Sequence, residues 1–243
     1  MGSPATLRTA VAFLTRLPAG GEGDGERLAA STAWFSLVGL MVGALAALPL
    51  LWLPERYAAL ASILITVLVT GAMHEDGLAD TCDGLFGGAD PDARRAIMRD
   101  SRIGSYGAIG LWMLLMARWL LLRDLAGAPW TLAAAAGFSR SAAVWLLANQ
   151  RPVAGADPGA KCSSAFDGVG WGNALTCSGI ALAGAGLVFR SVLPVMLCAG
   201  ATIAVSGLCG LFFRAKLGRL NGDALGAVIA LSELACLAAI ALV

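Results

Sequence analysis

Apolar residues run along this chain in seven long stretches, at about 31–53, 57–74, 105–122, 129–149, 173–189, 191–213 and 223–243, with short polar connections between them. About 20 apolar residues cross a bilayer core, so the pattern predicts an all-α, polytopic transmembrane helix bundle of about seven spans. The fifth and sixth stretches are separated only by Arg190 and its neighbours and also read as one re-entrant or broken pair. Ahead of the first span, Leu7, Val11 and Leu14 fall at helical spacing, flanked by Arg8 and Arg16 and ended by Pro18. This predicts an N-terminal interfacial helix over 5–17 lying on the membrane; a disordered arm is the alternative. Residues 19–27 are Gly- and acid-rich and read as a linker. No second unit could fold alone, so 1–243 is a single membrane domain. It carries an N-terminal arm (1–30) and an acidic-then-basic segment (74–104) between the second and third spans.

Charge adds an orientation. The N-terminal arm (Arg8, Arg16, Arg27) and the loops after spans two (Arg94, Arg95, Arg99, Arg102), four (Arg151, Lys161) and six (Arg214, Lys216, Arg219) hold twelve basic residues. The opposite loops hold Arg56, Arg123 and Arg190. The positive-inside rule then places the N-terminus in the cytoplasm and the C-terminus outside. Composition agrees with a membrane protein. Of the 243 residues, 58% are hydrophobic and 14% charged, against about 45–50% and about 25% in soluble domains. A net charge of +1 gives no footprint for nucleic acid. The six cysteines form no C-x-x-C pair and there is one histidine, which argues against a structural zinc site. The 31 glycines suit close helix packing. Gly39/Gly43 and Gly222/Gly226 are small-xxx-small pairs that permit a homo-oligomer without requiring one.

The segment with the most chemistry is His74-Glu75-Asp76-Gly77-Leu78-Ala79-Asp80-Thr81-Cys82-Asp83-Gly84, directly after span two. If the helix continues through it, Asp76, Asp80 and Asp83 stand at i, i+4 and i+7, within about 60° of one another. Three carboxylates on one face repel unless protons or a cation intervene. Mg²⁺ takes oxygen ligands and is commonly held by a few carboxylates plus substrate phosphates. The bland alternative is a solvated acidic helix end. Against it, the cluster sits at the mouth of a span, on the side where basic residues collect. About 17 residues of span two place it near the cytoplasmic interface, within reach of soluble nucleotides.

Asp90-Pro91 beyond the Gly84–Gly88 breaker is a helix cap. Arg94, Arg95, Arg99 and Arg102 are candidates for phosphate, Arg102 foremost because it lies between Asp100 and a glycine turn; topology accounts for some of the others. Asp223 opens the last span behind Gly222 and could close the metal site. Glu233 lies about 15 Å deeper, Arg140 is mid-span, and Arg118 is well inside span three. Intramembrane charges are usually paired or line a cavity, so Arg140 either pairs with Glu233 or binds substrate. His74 is a candidate general base, but by helical phase it points about 160° from Asp76, which suits a packing role equally.

At these residues the chain resembles the adenosylcobinamide-GDP ribazoletransferase (cobalamin synthase) family. The resemblance is carried by His74–Gly84, by Ile97-Met98-Arg99-Asp100-Ser101-Arg102-Ile103-Gly104, by Phe13-Leu14-Thr15-Arg16-Leu17-Pro18, and by Gly222-Asp223-Ala224-Leu225-Gly226-Ala227 with Glu233. It implies a multispanning enzyme of the bacterial cytoplasmic membrane. Its substrates would be adenosylcobinamide-GDP and α-ribazole or its 5′-phosphate, GMP would leave, and Mg²⁺ would be the metal. Asp76, Asp80 and Asp83 match the family's acidic motif position by position. The chain departs from the family at Gly218-Arg219-Leu220-Asn221-Gly222-Asp223, where Gly-Gly-x-Thr-Gly-Asp is more usual, and at Gly159-Ala160-Lys161-Cys162.

With that chemistry, Asp76, Asp80, Asp83 and Asp223 are expected to hold one or two metals. Asp100 or His74 is expected to accept the acceptor's hydroxyl proton. Arg102, Arg99 and Ser101, with Arg140 and Lys161, are expected to contact substrate. Two rivals fit an acidic face: a Mg²⁺-dependent membrane prenyltransferase, which would release pyrophosphate, and a divalent-cation transporter, whose carboxylates would be expected deeper in the spans.

Overall fold

The computed structural model describes residues 3–20, 25–149, 166, 168–218 and 220–242. Among these there are eleven α-helices and no strand: α1 (Pro4–Leu14), α2 (Gly25–Ser31), α3 (Phe35–Ala47), α4 (Glu55–Thr70), α5 (Met73–Gly87), α6 (Pro91–Met98), α7 (Ser105–Asp124), α8 (Thr131–Asn149), α9 (Trp171–Val188), α10 (Val192–Leu217) and α11 (Gly222–Ala241). Six helical stretches are each long and apolar enough to cross a membrane: Gly25–Leu51, which joins α2 and α3, and then α7, α8, α9, α10 and α11. The expected seventh span is a bent pair. α4 and α5 meet at 87°. The broken element is therefore the second apolar stretch; the fifth and sixth are two separate full-length helices.

The break has a local cause. Gly71 (φ +68°) ends α4 in the left-handed region, where glycine carries no Cβ penalty. Ala72 follows at φ +59°, and two successive left-handed residues turn the chain sharply. Exposed backbone at a break within lipid needs partners from the protein. Ala72 N–H donates to Val67 O (2.9 Å), and Arg16 N–H donates to Val69 O (2.7 Å). The N-terminal arm supplies that second bond. α1 forms where the pattern places it, but it docks on the bundle: Ala10 and Leu14 are buried, and Phe13 stacks on Phe35 at 5.7 Å.

α8 is the axis of the bundle. It is apolar nearly all round and buried from Thr131 to Val144, as expected of a helix enclosed by others. α3 lies against it with backbones in contact. A Cβ on Gly43 would stand 2.5 Å from Leu132 O, and one on Gly39 would meet Ala136 and Arg140. The Gly39/Gly43 pair is thus used within the chain. Outward faces are apolar, with Leu60, Leu64 and Leu68 on α4 and Ile203, Leu208 and Leu211 on α10 exposed. Exposed Trp52 and Trp130 mark one end of the bundle and exposed Tyr106 and Trp171 the other, the positions of interfacial aromatic belts.

Candidate active site

α5 carries the acidic segment and runs back along α7. Its first turn reaches Arg118, and its last turns meet Gly104 and Gly107 at the N-terminal end of α7. Asp76, Asp80 and Asp83 keep the expected one-helix spacing, although the helix is not a continuation of α4. Against this face lies the start of α11. A Cβ on Gly77 would stand 2.7 Å from Asp223 O and 3.2 Å from Gly226 Cα, and one on Gly226 would stand 3.1 Å from Met73 O. Glycine at 77 and 226 lets the two backbones touch. That contact puts Asp223 beside Asp76 and Asp80: Asp80 lies within electrostatic reach of Asp76, Asp223 and Asp83, and Asp223 within reach of Asp76. Asp76 is exposed, and Asp80 and Asp223 are half-buried.

Asn221, a residue sequence reasoning did not single out, orients Asp223. Its side-chain oxygen caps α11 by accepting from Ala224 N–H (3.0 Å), and its amide nitrogen donates to Asp223 Oδ2 (2.9 Å). It stands where the family pattern more often has threonine, and both residue types cap helices. The signal was a capping residue two positions before an acid.

Asp83 is placed differently. It is buried, and its carboxylate accepts from Gly104 N–H (2.7 Å) and Gly107 N–H (2.8 Å). It serves as the N-terminal cap of α7, an end whose own N-cap, Gly104, has no side chain to offer. A side chain on Gly104 or Gly107 would collide with this carboxylate. Among the described residues no three His, Cys, Asp or Glu side chains form a group that could hold a metal ion by themselves. Asp76, Asp80 and Asp223 nonetheless suit Mg²⁺, which is usually held by one or two carboxylates and completed by substrate phosphates.

Asp100 and Arg102 lie together in the exposed turn before α7. Arg102 Nε donates to Asp100 Oδ1 (3.0 Å) and Nη2 to Asp100 Oδ2 (2.6 Å). These hydrogen bonds lower the Asp100 carboxyl to about 2. Ser101 sits exposed between them. Arg94 and Arg95 are used structurally: Arg94 Nη1 donates to Lys216 O (3.0 Å) and Arg95 to Leu217 O, capping the C-terminal end of α10. Arg99 Nε donates to Arg95 O (3.2 Å). Asp90 caps α6 through Ala93 N–H (2.9 Å), as its sequence predicts. Lys161, with Gly159, Ala160 and Cys162, lies outside the described residues.

The remaining candidates lie in the core. Arg140 pairs with Glu233 (Nη1–Oε2 2.5 Å), and both are buried. Glu233 also binds Arg118 (3.1 Å), and Arg118 in turn binds Glu75. His74 is buried among Arg140, Glu233 and Arg118, with Nε2 unpartnered among the described residues. The structure therefore groups His74 and Arg140 with this network and not with Asp76 and Asp80. A cavity of about 650 Å³ between α8, α9 and α10, lined by Trp145, Leu182, Ile203 and Arg214 among others, includes none of the candidate residues.

Fold and site together define a multi-pass membrane protein whose carboxylates collect at one end of the bundle, where α7 and α11 begin. The chain matches the cobalamin-5-phosphate synthase family over residues 6–241, and it belongs to that family. It is 38% identical over 239 residues to a protein of Shewanella halifaxensis, a match covering 93% of this chain and 91% of the relative. It is 37% identical over 239 residues to one of Chlorobaculum tepidum (94% and 92%), and 38% identical over 240 residues to one of Shewanella pealeana (93% and 91%). All three relatives are named adenosylcobinamide-GDP ribazoletransferase. No solved structure matches.

Proposed function

We propose that this chain is a cobalamin synthase of the late assembly of vitamin B12. It joins the phosphocobinamide part of adenosylcobinamide-GDP to α-ribazole, or to its 5′-phosphate, and releases GMP. Family membership and the names of the relatives support the reaction. The observation that carries the site is the contact of Gly77 with Asp223, which brings Asp76, Asp80 and Asp223 to one place. None of the three relatives is named for prenyl transfer or metal transport.

In the reaction, the 5′-hydroxyl oxygen of the ribazole attacks the phosphorus on the cobinamide side of the diphosphate. The bond from that phosphorus to the oxygen bridging to GMP breaks, and GMP leaves. Asp76, Asp80 and Asp223 would hold a Mg²⁺ together with the substrate phosphates, and the ion would supply charge neutralisation at the diphosphate, with Asp83 fixing the end of the acidic helix against α7. Arg102 takes a phosphate oxygen by a charge-assisted bond. In doing so it leaves Asp100, whose carboxylate becomes more basic and accepts the proton from the attacking hydroxyl. Arg99 and Ser101 line the same turn. His74 and Arg140 act from the core, away from the reacting atoms. Positioning and charge stabilisation carry most of the rate.

The enzyme sits in the bacterial cytoplasmic membrane with this face toward the cytoplasm. Arg94, Arg95 and Lys216 gather at the same end, as the positive-inside rule requires. The test is turnover in liposomes with adenosylcobinamide-GDP, α-ribazole and Mg²⁺, read by mass spectrometry as GMP and completed corrinoid. Product that disappears with EDTA, and that falls at least about a hundredfold in folded Asp80→Asn, is expected, because a metal at the phosphates supplies several kcal/mol. Full turnover by Asp80→Asn would overturn the metal site. No product from the folded wild type would overturn the reaction.

A further inference from the structure

Asp83 holds the last turns of the acidic helix to α7, but the break between α4 and α5 leaves its first turn without a cap of its own. Ala72, the N-cap of α5, makes no side-chain cap bond. α5 packs chiefly on α11 and α7, and only slightly on α4. Its first turn, attached through two left-handed residues, is held instead by a buried side chain, Glu75. Glu75 Oε1 accepts from Arg118 of α7. Arg118 Nη2 reaches Glu233 of α11 (3.1 Å), and Glu233 holds Arg140 of α8. One alternating chain of two acids and two bases ties four helices in the buried core of the bundle.

The neighbouring position gives this chain a use. Asp76 is one residue, about 100° of helix, from Glu75. Together with Asp83 at the last turns and the Gly77–Asp223 contact, Glu75 sets the rotation of the first turn of α5, and with it where Asp76 and Asp80 point relative to Asp223 on α11. The network is also incompletely satisfied. Glu75 Oε2 and Arg118 Nε have no partner among the described residues. A device for stability alone would gain from completing or removing such groups.

We propose that Glu75 and Arg118 are positioning residues for the metal site: they lock the rotation of the first turn of α5 so that the helix's carboxylates meet Asp223 at the spacing the cation requires. The inference rests on the metal reading above. Groups that orient metal ligands without touching the metal typically change its affinity about 10–100-fold when altered.

Two variants separate positioning from folding. Glu75→Asp keeps the charge and draws the carboxylate back by one methylene. Glu75→Met combined with Arg118→Met replaces one acid and one base by apolar side chains of similar volume and leaves Arg140–Glu233 as a balanced buried pair, an exchange that is often neutral for stability. Each full-length protein, in lipid nanodiscs with one equivalent of adenosylcobinamide-GDP and no acceptor, is titrated with Mn²⁺. Protein-bound Mn²⁺ is read by its electron paramagnetic resonance signal, and unfolding temperature is measured without metal. The expected result is a Mn²⁺ midpoint at least about tenfold higher in both variants. Their metal-free unfolding temperature stays near wild type, and the KM for α-ribazole is unchanged. Wild-type Mn²⁺ affinity in either folded variant would overturn the proposal. A wild type that binds no Mn²⁺ would overturn the metal reading, and this inference with it.

Discussion

Two groups of charges lie within this bundle, and they are arranged in opposite ways. At one end, Asp76, Asp80 and Asp223 bring like charges together, and among the described residues the charges acting on Asp80 and Asp223 are other carboxylates. Deep in the core, Glu75, Arg118, Glu233 and Arg140 alternate in sign, and each is paired. A buried charge is tolerated in a membrane when paired within the protein. The first group leaves its charge uncompensated where water and solutes reach it, which suits binding a cation from outside. The second balances its own charge within the protein. Charge near a membrane thus reads as function when it is unbalanced and as architecture when it is balanced.

The contrast is broken most forcefully in the core. Glu233 serves two arginines, so Glu233→Gln leaves Arg140 without its carboxylate partner and Arg118 with Glu75 alone. Breaking a buried pair in this way costs about 3–5 kcal/mol, and reversible unfolding in mixed micelles should show it. Asp80→Asn should show the reverse sign, a small gain in metal-free stability, because it relieves repulsion. Equal losses in the two variants would mean that the acidic end is also a stabilising network.

A smaller effect is expected from Gly77→Ala. Its Cβ would stand 2.7 Å from Asp223 O, so α5 and α11 must separate by several tenths of an ångström. Misplacement of this kind typically lowers the rate by up to about a hundredfold. The measurement is kcat against Mg²⁺ concentration, with the loss partly recovered at high Mg²⁺. Turnover equal to wild type would show that the backbone contact does not set the site.

The smallest effect concerns pH. Arg102 holds Asp100 at about 2 in the free enzyme. A carboxyl lowered in this way stays ionised above that value and gains its proton only as the pH falls through it. The profile of kcat/KM, which reports free-enzyme groups, should therefore show no acid limb from Asp100 between pH 5 and 8. Asp100→Asn should lower the whole profile without changing its shape there. Loss of an acid limb in that range on making the variant would contradict the pairing.

Much of this was legible in the sequence because it depends on local periodicity. The register of Asp76, Asp80 and Asp83, the cap at Asp90, and Asp223 at the opening of the last span all follow from spacing along one helix. Arg140 and Glu233 stood out because mid-span charges seek each other. What escaped depends on contacts distant in sequence or on backbone conformation. The apolar run passes through Gly71, Ala72 and Met73, and a glycine within such a run does not by itself mark a turn, so it is the successive left-handed φ of Gly71 and Ala72 that reveals it. Glu75 was hidden as one acid among several, and its partner Arg118 lies 43 positions away. Arg94 and Arg95 looked like phosphate ligands, yet they cap a helix end 122 residues downstream. Asp83 belongs to the acidic motif by spacing, while its two backbone donors come from the next span.

The central claim is that the carboxylate face meets the diphosphate through a metal. It is tested most directly with adenosylcobinamide-GDP in which sulfur replaces a non-bridging oxygen of the phosphate on the cobinamide side. A soft metal accepts sulfur where Mg²⁺ does not. The account predicts turnover lost with Mg²⁺ and restored with Cd²⁺ in the wild type, and no restoration in Asp80→Asn. Equal turnover of the sulfur and oxygen substrates with Mg²⁺ would contradict it.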